Sequence, residues 1–270
     1  MAKKNLSEMS FLDHLEELRW LLIRSTIAIL ACATIAFFFS DFIFDEILFG
    51  PKNIDFITYR FFCDISQEFG LDKSLCVTEI PMRIQSREMG GQFSAHMWTS
   101  ITAGFILGFP FILWEFWKFI RPALYDTEKK YAVLFIVTAS VLFFAGVLFG
   151  YFLIAPLSVN FLANYNVSKE IFNDIDLDSY ISLLRSSTVA CGLLFELPIV
   201  IYFLTKLGLV TPNSLRTYRK YTLVIVLILS AIITPPDIIS QIIVAIPIMI
   251  LYELSILISV IVYKKQQNLQ

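Results

Sequence analysis

Charge is scarce in this chain. Only 16% of its 270 residues are Asp, Glu, Lys or Arg, against 57% hydrophobic, which is too little polar surface to clothe a water-soluble domain. Histidine is scarcer still: His14 and His96 are the two, and neither has metal-ligand or nucleophile–base spacing with other candidates, which argues against an enzyme. The ten glycines form no phosphate-binding loop, so nucleotide hydrolysis is not expected. No cofactor, metal or nucleic-acid partner is expected either. No internal repeat or low-complexity segment stands out, so residues 1–270 read as a single domain rather than a duplicated transporter. The region before residue 20 is charged and amphipathic, unlike a cleavable signal peptide.

What the chain does have is long apolar runs. Six can be marked, at 20–39, 93–114, 131–155, 180–204, 221–233 and 238–263, where a membrane span needs about 20 residues. This predicts an all-α polytopic membrane protein with six transmembrane helices. The fifth run is too short, and it ends at Thr234-Pro235-Pro236-Asp237, a sharp turn without a backbone donor at either proline. A hairpin of that kind thins the bilayer or borders a wet cavity. Most of the cations sort to one side: 14 of the 21 Lys and Arg. Lys3, Lys4, Arg19 and Arg24 precede or open the first run; Lys118, Arg121, Lys129 and Lys130 lie between the second and third; Lys206, Arg216, Arg219 and Lys220 between the fourth and fifth; Lys264 and Lys265 after the sixth. The bias of Lys and Arg toward the inner side predicts a cytoplasmic (inner) membrane protein with both termini cytoplasmic. Residues 41–92 and 156–179 are then external caps carrying an acidic excess, including Glu170, Asp174 and Asp176.

Glu196 lies inside an apolar run from Cys191 to Leu204. An ionisable group at the centre of a membrane helix costs about 3 kcal/mol on insertion scales, so it is a functional candidate by default; the alternative is a polar helix-packing residue. Cys63 and Cys76 share the first external loop, where an oxidising compartment allows a disulfide, although two free thiols remain the alternative. The bridge would close a loop of about 14 residues, worth about 3 kcal/mol. Cys32 and Cys191 read as small apolar fillers.

Two segments on the cytoplasmic side carry further chemistry. Residues 1–19 read as an amphipathic helix on the inner surface, with Ser10 and Asp13 at its start and Phe11, Leu15, Leu18 and Leu22 on one apolar face. Its other face offers Asp13 and Glu17 beside Glu16, carboxylates suited to guanidinium groups; the alternative is a solvated face with Glu16 paired to Arg19. The second segment, 110–130, is rich in aromatics. Trp114, Trp117 and Tyr125 suit the headgroup level, Pro122 forces a loop over 121–127, and Glu128 falls at the entrance of the third helix, where a carboxylate also suits the helix dipole.

His14-Leu15-Glu16-Glu17-Leu18-Arg19, the stretch from Trp117 through Pro122 and Tyr125 to Glu128, Phe195-Glu196-Leu197-Pro198, and Thr234-Pro235-Pro236-Asp237 with Gln241 together resemble the TatC family of the twin-arginine protein translocase. The match runs in order over nearly the whole chain; the first external loop, 52–92, departs from the commonest pattern by its length and its cysteine pair. The resemblance implies a curved, concave bundle with two short C-terminal helices. It implies a receptor for signal peptides bearing consecutive arginines, working with TatA-like and TatB-like single-span partners and in a homo-oligomeric receptor complex. That complex would export folded proteins across the membrane using the proton-motive force. By position, Glu17 and Glu128 would bind the arginine pair, with Arg19, Phe119, Leu124 and Tyr125 shaping that surface. Glu196 would face the intramembrane groove, Asp237 the external end of the last two helices, and Thr234 and Gln241 the patch where a partner helix docks. A proton-coupled small-solute transporter using Glu196 is the rival reading.

Overall fold

The computed structural model of the chain describes residues 11–68, 76, 77, 79–120, 132–168, 170 and 173–267. These fall into two compact units. One comprises the described residues of 1–43 and 93–141, the other those of 44–92 and 142–270. Five helical runs among the described residues are long and apolar enough to cross a membrane: His14–Phe38, Gly91–Ile120, Ala132–Asn164, Leu177–Lys206 and Ser240–Gln267.

The first unit is built on an antiparallel pair, α1 (Phe11–Phe38) and α3 (Gly91–Ile120). α1 carries the amphipathic stretch into the first span without a break. Contacts follow the pair along its length: rings of His14 and Phe119 stack at 4.3 Å, Arg24 meets Glu115, and rings of Phe37 and His96 stack at 3.9 Å. Between these the backbones approach so closely that a Cβ on Gly104 would lie 2.6 Å from the Ala33 nitrogen and the Ile29 oxygen. Gly104 and Gly108 are spaced as small residues that admit a neighbouring membrane helix. Pro110 lies inside α3, and the helix continues past it to Ile120, beyond the hydropathy boundary near residue 114. Membrane helices tolerate such prolines because neighbours and local adjustment re-satisfy the freed carbonyl. α4 (Ala132–Phe149) contributes its start, where Trp117 packs on Phe135 at 4.9 Å.

The second unit holds the segments expected to form an external cap, together with the C-terminal helices. Its cap contains α2 (Ile57–Glu68) and a two-stranded parallel sheet, in which β1 (Arg83–Gln85) pairs with β2 (Asp174–Asp176). Cys63 and Cys76 are bonded there, tying α2 to the chain that follows it. Helix α4 passes through a π-helical turn, Gly150–Ile154, into α5 (Ala155–Asn164). Pro156 has no N–H to offer the Phe152 carbonyl one turn back, and the Thr58 hydroxyl of α2 donates to that carbonyl instead. Tyrosine hydroxyls serve similarly nearby: Tyr59 donates to Pro51 and Pro156 oxygens at 2.9 and 2.8 Å, Tyr151 to Ile47 at 2.7 Å. Burial pushes the Tyr59 phenol above its ordinary range, so it stays a donor.

Helix α6 (Leu177–Phe195) begins with Asp176 accepting from the Asp178 amide. It packs on the end of α4 through small residues, a Cβ on Gly146 lying 2.5 Å from the Cys191 oxygen and one on Gly150 2.8 Å from the Ser187 oxygen. After one residue the chain resumes as α7 (Leu197–Lys206), followed by α8 (Pro212–Thr217), α9 (Arg219–Ile233) and α10 (Ile238–Gln267). The core of this unit gathers Ile154, Cys191, Val226, Val244 and Ile248. Of the two C-terminal helices expected to be short, only α9 is so, at 15 residues. Helix α10 runs for 30 residues through Pro247, because a proline inside a packed membrane helix need not end it. Hydrogen bonds hold α10 against its neighbours: the Thr205 and Ser259 hydroxyls lie 2.9 Å apart, and Tyr252 donates to the Leu215 oxygen at 2.7 Å.

Candidate functional site

At the start of α1, His14, Glu16, Glu17 and Arg19 are all exposed. The stacking of His14 on Phe119 brings this turn to the end of α3, so Glu17 and Phe119 belong to one local surface. Leu124, Tyr125 and Glu128, expected on the same surface, lie outside the described residues. An exposed carboxylate on a helix turn can accept two parallel bonds from a guanidinium.

Four residues before Phe119 is a carboxylate that the pattern of residues did not single out. Glu115 is buried, receives Nη1 of Arg24 at 3.3 Å and Nζ of Lys118 at 2.5 Å, and links α1 to α3. In the sequence it stands among tryptophans and beside Lys118, where it reads as headgroup-level polarity. Its partner Arg24 is 91 positions away. An arginine one helical turn into the first apolar run is the signal that could have revealed it. Arg185, inside the fourth span, is a second charge that the pattern did not single out.

In the second unit Glu196 occupies the single-residue break between α6 and α7. Pro198 supplies no N–H to the Leu194 carbonyl, and the Glu196 amide reaches back to the Leu193 and Leu194 oxygens. The side chain is only 7% exposed, and its Oε1 makes no hydrogen bond among the described residues. A buried carboxylate oxygen without a donor is costly in an apolar setting and can serve as an acceptor for an incoming polar group.

Thr234, Asp237 and Gln241 come together at the turn between α9 and α10. The Thr234 hydroxyl is buried and donates to the Ser230 oxygen at 2.9 Å, and the Gln241 amide donates to the Leu227 oxygen at 3.0 Å. Asp237 caps α10, its Oδ2 accepting from the Ser240 amide at 2.8 Å. The Thr234 hydroxyl proton and one Gln241 N–H are thus engaged within the hairpin, leaving the second N–H and the carbonyl oxygen of Gln241 to meet a partner. Among the described residues no group of three or more His, Cys, Asp or Glu could hold a metal ion.

Comparison with known proteins covers nearly the whole chain. Residues 13–247 match the family model of the Sec-independent protein translocase protein TatC. The chain is 45% identical over 265 residues to the TatC of Blattabacterium sp. subsp. Periplaneta americana, covering 98% of this chain and all of that protein. It is 35% identical over 267 residues to the TatC of Aquifex aeolicus, covering 97% of this chain and 99% of that one. Among solved structures, the crystal structure of the twin-arginine translocase receptor TatC in DDM aligns with a TM-score of 0.70 at 35% identity, over 91% of this chain and 99% of the other.

Proposed function

Because the chain belongs to the TatC family of Sec-independent protein translocase proteins, a family of membrane transport components and not of enzymes, we propose that it is the subunit that receives twin-arginine signal peptides. In this reading it forms the core of a translocase that exports folded proteins across the cytoplasmic membrane, driven by the proton-motive force. The observation that carries the reading is the His14–Phe119 stack. It fastens the turn bearing Glu17 to the end of α3, whose chain leads directly into the stretch holding Leu124, Tyr125 and Glu128. Glu17 and Glu128 each take one guanidinium, while Arg19, Phe119, Leu124 and Tyr125 shape the surface around them. Lysine is a poor substitute, because a point charge lacks the paired donors that match a carboxylate.

The partners are TatA-like and TatB-like single-span proteins and further copies of this chain. The Thr234, Asp237 and Gln241 turn docks a partner helix. Glu196, buried with an oxygen lacking a donor, accepts from a polar group within such a helix. Both termini lie in the cytoplasm.

Crosslinking of the purified full-length chain to a two-arginine signal peptide, with a two-lysine peptide alongside, tests the site. Capture should depend on the arginines and fall at least tenfold in Glu17→Ala and in Glu128→Ala, since each removes a charge-assisted pair worth about 1.5–3 kcal/mol. Capture indifferent to all of these changes would sink the account of recognition. Glu196→Ala should keep capture but lose export; normal export by an assembled Glu196→Ala complex would remove its assigned role.

A further inference from the structure

The cluster around Glu115 is not electrically balanced. One carboxylate, its side chain 4% exposed, faces two cations whose side chains are 50% and 47% exposed, Arg24 and Lys118. The buried charge needs partners to be tolerated, yet either cation alone would neutralise it. A net positive charge is left, presented outward by the accessible halves of both side chains.

The surroundings say which medium that charge faces. Each cation lies over an indole ring, Arg24 over Trp20 and Lys118 over Trp114, both at 5.8 Å. On α3, Phe111, Trp114 and Lys118 follow one another at helical spacing, all exposed; on α1, Trp20, Arg24 and Ile27 do the same. On α3 the stripe runs from an apolar side chain into a tryptophan and then a cation, the order in which a membrane helix passes from hydrocarbon to headgroups. On α1 it runs from Ile27 into Arg24 and then Trp20, so the arginine reaches outward past the indole. The stripes meet where the two cations clasp one carboxylate. Acyl chains would lie on the apolar parts and a phosphate would sit between the cations.

We propose that Arg24 and Lys118, held in place by the buried Glu115, form a binding site for the phosphate of an anionic phospholipid in the leaflet that meets the start of α1. Glu115 acts as the positioning residue. It holds the two cations within reach of one carboxylate and therefore within reach of one phosphate, and its burial keeps it from occupying the outward donors itself. The guanidinium can grip phosphate oxygens in pairs, while the ammonium adds a point charge. This site is separate from signal-peptide recognition and does not depend on it.

Native mass spectrometry of the full-length chain in detergent, titrated with phosphatidylglycerol or with phosphatidylcholine, tests the proposal. The wild type should hold at least one phosphatidylglycerol in preference to phosphatidylcholine. Lys118→Gln, which leaves the Arg24–Glu115 pair intact, should weaken that binding about fivefold, and Arg24→Gln similarly, as expected for one cation near a lipid surface. Melting temperature, read in lipid-free detergent, reports whether each variant folds, and either variant alone suffices. Three results would overturn the proposal: no headgroup preference in the wild type, preference unchanged in a folded variant, or displacement of the lipid by millimolar inorganic phosphate. The last would make the site one for the free anion.

Discussion

Asp237 sits in an apolar hairpin, and its carboxylate acts locally, accepting from the Ser240 amide and so closing the first turn of α10. Capping needs an oxygen at the right place, not a charge. Asn caps as well as Asp, whereas Ala costs about 1 kcal/mol. Asp237→Asn should therefore melt within about 2 °C of the wild type and still support export, while Asp237→Ala should melt several degrees lower in detergent. Thermal unfolding alongside an export assay separates the two, and a folded but inactive Asn variant would show that the charge itself matters. At this scale the sequence was partly legible. Glu196 stood out because nothing polar surrounds it from Cys191 to Leu204. Glu115 did not, because Lys118 and the tryptophans beside it mimic an ordinary interface, and its burial depends on a helix far away in the chain.

Helices in this protein meet through glycine where backbones touch. Gly146 is the tightest case, since a Cβ there would meet the Cys191 oxygen and the Gly192 Cα, both backbone atoms that cannot swing aside. Gly146→Val should lower the melting temperature substantially, by the 1–3 kcal/mol typical of overpacking or more. Gly90 makes the contrast, with nothing within 4 Å of its Cβ position; Gly90→Ala should be neutral or slightly stabilising. Equal melting of the two variants would contradict the close approach of α4 and α6. The order of the membrane helices could be read from hydropathy, and the short fifth helix from Pro235 and Pro236, whereas helix α2 and the β1–β2 pair of the cap left no such pattern. Helix ends could not be read either. Helix α3 outlasts its apolar run to reach Ile120, and α5 extends the third run to Asn164 because Thr58, from a distant helix, supplies the donor that Pro156 lacks. A donor from nearly a hundred residues away leaves no local mark.

For the molecule as a whole, the topology turns on α9. Five long runs alone would leave the two ends of the chain on opposite sides of the membrane; a sixth crossing returns them to the same side. At 15 residues, α9 is about 22 Å long, short of the roughly 30 Å of hydrocarbon, so a crossing by α9 would require the bilayer to thin beside it. With native cysteines replaced by serine, single cysteines at His14 and Lys264 should both resist a membrane-impermeant maleimide added outside intact cells. Labelling at Lys264 alone would mean that α9 does not cross.

Helix α1 has no hinge from Phe11 to Phe38, about 42 Å of continuous rod at 1.5 Å per residue. The carboxylates at its start and the aromatic rings at its far end therefore turn as one body. A torque applied by whatever grips Glu17 arrives at Phe37 and at the His96 ring stacked on it without any segment having to unwind. Any rotation imposed on the turn bearing Glu17 would therefore be carried, undivided, as far as the Phe37–His96 stack.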